Sequence, residues 1–212
     1  MVVKSAEPII MKKEGQDQFN IIEAATAAKK AGLRILSNKE VDALLNRGWE
    51  KADTIGAIWT GTLVIHGRPG EKLGKAVKTK SRDGLSWVFE VPPNFRSLKD
   101  AALVIEHPDY VLAEIGFRVT VRVPDLRKIR MVKDFPRQFG IYETDKEAGI
   151  PHGRALASNT ETSRYFDRGS EPSIGVVERN STTCVLPDEY ERGVCLTTDT
   201  SMRFTVLAEK KK

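Results

Sequence analysis

The sequence predicts an α+β fold: a β-rich, mainly antiparallel sandwich or barrel-like sheet with two short N-terminal helices packed on it. Three observations carry that expectation. Apolar residues recur at helical spacing only before Asp53. Beyond it, short alternating segments are separated by Gly and Pro. The cleanest runs from Phe117 to Val123, with Phe117, Val119, Val121 and Val123 on one face and Arg118, Thr120 and Arg122 on the other. Successive side chains of a strand point to opposite faces, so this segment reads as a half-buried strand with a cationic outer row.

Taken in order, Pro8-Ile9-Ile10 suits pairing at a sheet edge. Over residues 19–31, Phe19, Ile21, Ile22, Ala25 and Ala28 fall at helical spacing, with Lys29 and Lys30 in the last turn and Gly32 as the stop. Leu33 to Leu36 is a short extended piece. Ser37 and Glu40 form a capping-box pattern opening a second helix, whose apolar stripe is Val41, Leu44, Leu45 and Trp49. Strands are expected near 57–66, 73–79, 85–91, 101–107, 117–123, 127–133, 174–179, 182–186, 194–198 and 203–208. Leu85, Trp87, Phe89 and Val91 alternate with Ser86, Val88 and Glu90 in another half-buried strand. Arg68-Pro69-Gly70 and Asp83-Gly84 are turns, and Pro92-Pro93 and Pro124 end strands because proline cannot donate to a ladder. Residues 134–172 show little periodicity and are expected as one long ordered loop, wrapped over the sheet and anchored by Phe139, Ile141, Tyr142, Tyr165 and Phe166. Loops of that length are usually functional when ordered. The chain reads as a single domain over 1–212, a helical section at 1–53 leading into a β-rich section at 54–212, because two short helices cannot bury their stripes alone.

The 212 residues are 40% hydrophobic and 30% charged, the balance of an ordinary soluble globular protein with room for one substantial core. No apolar run approaches the roughly 18–20 residues of a membrane helix, and the N-terminus lacks the apolar stretch of a secretory signal. A cytoplasmic protein with no membrane partner is the expectation. The two cysteines, Cys184 and Cys195, exclude a disulfide framework and an all-cysteine metal site. A hairpin centred near Glu189 and Tyr190 would bring their sulfurs opposite one another, as reduced thiols or as a cross-strand disulfide. The net charge of +5 is unevenly spread: Arg68 to Asp83 carries a local +4 and Arg118 to Arg137 a local +5, so the rest of the chain is net acidic.

Motifs for chemistry are sparse. His66 and His107 sit at strand ends and His152 lies in the long loop, with no local ligand spacing among them. There is no Gly-x-Ser-x-Gly elbow, and Gly67-x-x-Gly70-x-x-x-Gly74 lacks the ending of a phosphate loop. No metal or cofactor is expected. Two binding candidates remain. The first is a basic face built from Arg118 and Arg122, continued by Lys128 and Arg130 on the next strand and by Lys75 and Lys78, with Lys80, from the preceding hairpin. The second is the loop cluster His152, Arg154, Arg164, Tyr165 and Arg168, which interleaves cations with an aromatic. The expected role is therefore a non-catalytic binding or structural module whose partner is a protein or a polyanion. One alternative is a nucleic-acid-binding protein that tracks phosphates with the basic face. Another, from a different class, is a small hydrolase or metal-dependent enzyme built on His66, His107 and His152. The sequence leaves the question of enzymatic activity open.

Overall fold

The computed structural model describes residues 7–13, 15–47, 49, 56–74, 76–80, 86–113, 118–122, 129–158, 163–167, 173–180, 193–197 and 202–211. The N-terminal elements are β1 (Ile9–Ile10), α1 (Ile21–Lys30), β2 (Leu33–Ile35) and α2 (Asn38–Asn46). Strands β3 (Ala57–His66), β4 (Ala76–Lys80), β5 (Ser86–Glu90), β6 (Ala102–Glu106), β7 (Asp109–Ala113), β8 (Arg118–Arg122) and β9 (Ile129–Val132) follow. The chain continues through β10 (Gly140–Thr144), β11 (Pro151–His152), β12 (Ser163–Asp167), β13 (Ser173–Asn180), β14 (Val194–Thr197) and β15 (Thr205–Lys210).

Strand β3 organises the large sheet. Its residues from Ile58 to His66 are all buried, so it reads as a nearly continuous apolar run rather than an alternation. One edge of β3 is paired along most of its length by β13, antiparallel. The other edge is shared: β15 pairs its first part in parallel, through Ile58 and Trp59, and β6 pairs its second part antiparallel, from Thr62 to His66. The sheet therefore forks at Gly61. One branch continues from β15 to β1 and β2, the other from β6 to β9, while the opposite side runs β13-β14-β12-β10-β11. The sheet is not a closed barrel, because its pairing path ends at β1 and β11. Most pairs are antiparallel, as expected, with parallel exceptions at β15–β3, β12–β14 and β5–β8.

Both helices begin with a capping box. Asn20 and Glu23 close the start of α1, and Ser37 and Glu40 close that of α2, satisfying backbone N–H groups that a helix leaves unpaired. Gly32, at φ +66°, follows the end of α1 in the left-handed conformation that favours glycine. The helices cover opposite faces of the sheet. Ile21, Ala24 and Ala28 of α1 join Trp59, Leu63, Ile65, Leu103, Ile105 and Val206. Val41 and Leu45 of α2 pack with Leu36, Ile58 and Leu207. Beyond α2 the sheet curls over itself, so that Val64, Val104 and Val132 meet Phe135, Tyr142, Ile150, Val194 and Leu196.

A second, four-stranded sheet has the order β4-β5-β8-β7. Phe89 of β5 is buried in the same cluster as Leu63 and Leu103, which fixes the inner face of this small sheet. Residues 134–172, expected as one long loop, instead carry β10, β11 and β12. Only Tyr142 in the middle of β10 is buried, β11 is two residues long, and these strands lie toward the margin of the sheet, so no apolar alternation marks them. Strand β7 was likewise not anticipated, and the strand expected at 73–79 begins at Ala76. The expected strand at 182–186, Cys184 and the Asp83-Gly84 turn lie outside the described residues. No helix among the described residues is long and apolar enough to cross a membrane.

Candidate functional site

The register of the small sheet sorts its residues cleanly by face. Val77 pairs with Phe89, Thr79 with Trp87, Trp87 with Val119, Val119 with Leu112 and Val121 with Tyr110. Residues opposite one another in a ladder share a face, so these positions lie on the side that Phe89 buries. The alternate positions lie on the other side. There Lys80 and Arg118 are both opposite Ser86, Lys78 and Thr120 are both opposite Val88, and Arg122 is opposite Asp109. Glu90, exposed, marks that side as outward, and it is held by Arg96 at 3.2 Å. The register thus brings Lys78, Arg118 and Arg122 to one face. Lys75 and Lys128 lie outside the described residues. Arg130 does not continue the row: β9 pairs with β6 in the large sheet, and Arg130 there forms an ion pair with Glu147.

The fork at Gly61 holds the densest charged cluster with described side chains. Nη1 of Arg34 donates to Oε2 of Glu40 at 2.8 Å and to Nε2 of His107 at 2.7 Å. Nη2 donates to Oε1 of Glu40 at 2.5 Å and to Glu209, its neighbour across the β2–β15 ladder. Burial pushes the Glu40 carboxyl up, but the Arg34 guanidinium, the Ser37 N–H and the neighbouring charges outweigh it and hold Glu40 below the ordinary carboxylate range. Hydrogen bonds from Glu40 raise Arg34 in turn. Glu106 behaves oppositely: burial raises it, Glu40 adds to the effect, and the charges of Arg130, Lys39 and Arg34 only partly offset it.

Two backbone features explain why the cluster sits there. Gly61 donates to the Leu36 carbonyl and accepts from the His107 N–H, both at 2.7 Å. A Cβ on Gly61 would lie 2.7 Å from the Ile35 carbonyl oxygen, so the fork closes only around glycine. His107 then turns from β6 into β7, from the large sheet to the small one, with φ +51°. That left-handed geometry is uncommon for a non-glycine residue, although His adopts it more readily than most. Chemically the cluster is an ionic clamp, joining β2, α2, β15 and the β6–β7 turn. Sequence reading found Glu40 only as a helix cap. Arg34, Glu106 and Glu209 sit far apart in the chain with no local pattern linking them.

The histidines do not assemble into one site. His66 is fully buried, its Nδ1 bonded to the Gly67 carbonyl at 2.9 Å and its ring against Phe135. His107 is tied to Gly61, and the five residues from there to His66 span about 16 Å of strand. His152 is on β11 opposite Glu143. No group of three or more His, Cys, Asp or Glu able to hold a metal occurs among the described residues. The residues expected to form a loop cluster divide between the two faces of the β10–β12 region. Tyr165 is opposite Ile141, on the face shared with Glu143 and His152, whereas Arg164 is opposite Tyr142 on the other face. Arg154 is exposed beyond β11, and Arg168 lies outside the described residues. Cys195 is on β14 opposite Glu178. The chain matches no family model, no curated protein and no solved structure.

Proposed function

We propose that the protein is a non-catalytic binding module that recognises an anionic partner through the outer face of its four-stranded sheet. The supporting observation is the register, in which Lys78 and Lys80 on β4 share a face with Arg118 and Arg122 on β8. Among the described strand positions Glu90 and Asp109 share that face, and each has a cationic neighbour: Arg96 bridges Glu90, and Arg122 is opposite Asp109. Lys78, Lys80 and Arg118 instead stand opposite Val88, Ser86 and Ala113. Such an arrangement attracts polyanions and acidic protein surfaces alike.

Retention on a heparin column tests the reading. The double variant Lys78→Glu/Arg118→Glu is expected to elute at markedly lower salt than the native protein. Arg154→Glu, a reversal at the exposed residue of the other candidate region, is the control and should shift elution only slightly. A larger shift for Arg154→Glu than for the double variant would move the site to the β11–β12 region.

A further inference from the structure

We infer that the partner of this face is double-stranded nucleic acid, gripped by its phosphates without regard to base sequence; the inference rests on the binding reading above. Two observations carry it. First, among the described residues of the four strands the outer positions carry no aromatic residue. Trp87, Phe89 and Tyr110 all occupy the inner side by register, and the outer side carries Ala76, Lys78, Lys80, Ser86, Val88, Glu90, Arg118, Thr120 and Arg122 on its first three strands. Sheets that bind unpaired bases present aromatics on which those bases stack, so a single strand finds little here beyond its charge.

Second, the cations form two lines rather than one. Lys78 and Lys80 lie about 7 Å apart along β4, Arg118 and Arg122 about 13 Å apart along β8, and the two lines are separated by about 10 Å, two strand spacings. Between them β5 contributes Ser86 and Val88, small and uncharged, and at its end Glu90, which is paired with Arg96. One sugar–phosphate backbone can follow one line. Two backbones flanking a groove can follow both, and the groove widths of a duplex, about 6 and 12 Å, bracket the separation. Phosphate contacts position a protein on a duplex but carry no sequence information.

The test is fluorescence anisotropy with two labelled 20-base-pair duplexes of unrelated sequence, the corresponding single strands, and unlabelled heparin as competitor, across a salt series. The expected result is equal affinity for the two duplexes, each bound at least about tenfold more tightly than its strands. With four phosphates contacted, log affinity should fall with log salt at a slope of about −3.6. Lys78→Glu/Arg118→Glu should lower that slope in magnitude by about two, and Lys78→Gln/Arg118→Gln should do the same if the reversal disturbs folding by thermal melt. Tighter binding of single strands, or a clear preference between the duplexes, would overturn the duplex inference while leaving the face as the site, provided the variants still weaken binding. Heparin binding without duplex binding would do the same. Binding unchanged in both variants, or no binding to any of these polyanions, would remove the face itself.

Discussion

The fork at Gly61 and the outer face of the small sheet use charge in opposite ways. At the fork, one guanidinium has its Nη hydrogens placed on Glu40, Glu209 and His107, so that the charges are paired with one another within a half-buried space. On the small sheet, register sets Lys78, Lys80 and Arg118 opposite Val88, Ser86 and Ala113. Charges satisfied internally fix geometry, and removing one strands its partner. Cations on an outward sheet face cost little to keep in water, and they can meet an external anion. The two regions adjoin in sequence through His107, which ends the large sheet and leads into β7. A clamp at that turn fixes where the small sheet leaves the large one.

The comparison can be broken most severely at the fork. Gly61→Ala places a Cβ 2.7 Å from the backbone oxygen of Ile35, a group that cannot rotate away. Overpacking of this kind should cost about 2–3 kcal/mol, measured as a drop in urea midpoint at unchanged slope. Glu40→Gln comes next. It weakens both hydrogen bonds to Arg34 and the capping contact to the Ser37 N–H. Charged hydrogen bonds are worth about 1.5–3 kcal/mol, but this carboxylate is roughly a third exposed, so about 1–2 kcal/mol is expected. Heparin retention should be little altered by Glu40→Gln. By contrast, Lys78→Glu/Arg118→Glu should shift stability by no more than about 0.5 kcal/mol, as outward substitutions do, while weakening retention. A large loss of stability from that pair would show that the face is structural.

How legible these regions were in the sequence follows from the range of the interactions that make them. Alternation in Phe117–Val123 and Leu85–Val91 marked which residues of β8 and β5 share a face, because the period of two is local. The Ser37–Glu40 capping box was readable for the same reason. The hairpin that brings Lys78 beside β5 also follows from adjacency in the chain. The fork does not. Arg34 and Glu209 meet only because β2 and β15 pair across almost the whole sequence. Consecutive strands usually neighbour one another, which points Arg130 to the small sheet, but here β9 returns past the small sheet to β6. Strands β10 to β12 went unseen because a margin strand buried at one position leaves no periodic trace.

The smallest expected effect sharpens the comparison within the fork itself, where two carboxylates at neighbouring positions should respond to pH with opposite signs. Glu40 is held below its ordinary value of 4.5, so it contributes stability above that pH and loses the contribution as pH falls through its lowered value. Glu106 is raised above 4.5 by burial, so its contribution is present below that pH and is lost as pH rises through the raised value. At low pH both groups are protonated, and Glu40→Gln and Glu106→Gln should each melt close to the native protein. At pH 7 Glu40→Gln should be less stable and Glu106→Gln slightly more stable, by roughly 0.5 kcal/mol or less. Because the Glu40 charge helps to raise Glu106, the gain from Glu106→Gln should shrink when Glu40→Gln is already present. Thermal melts of the two single variants and the double variant at pH 7, with a pH well below the lowered Glu40 value as reference, measure that coupling. A gain from Glu106→Gln that is the same in both backgrounds would mean that burial alone raises Glu106, and that the clamp ends at Glu40.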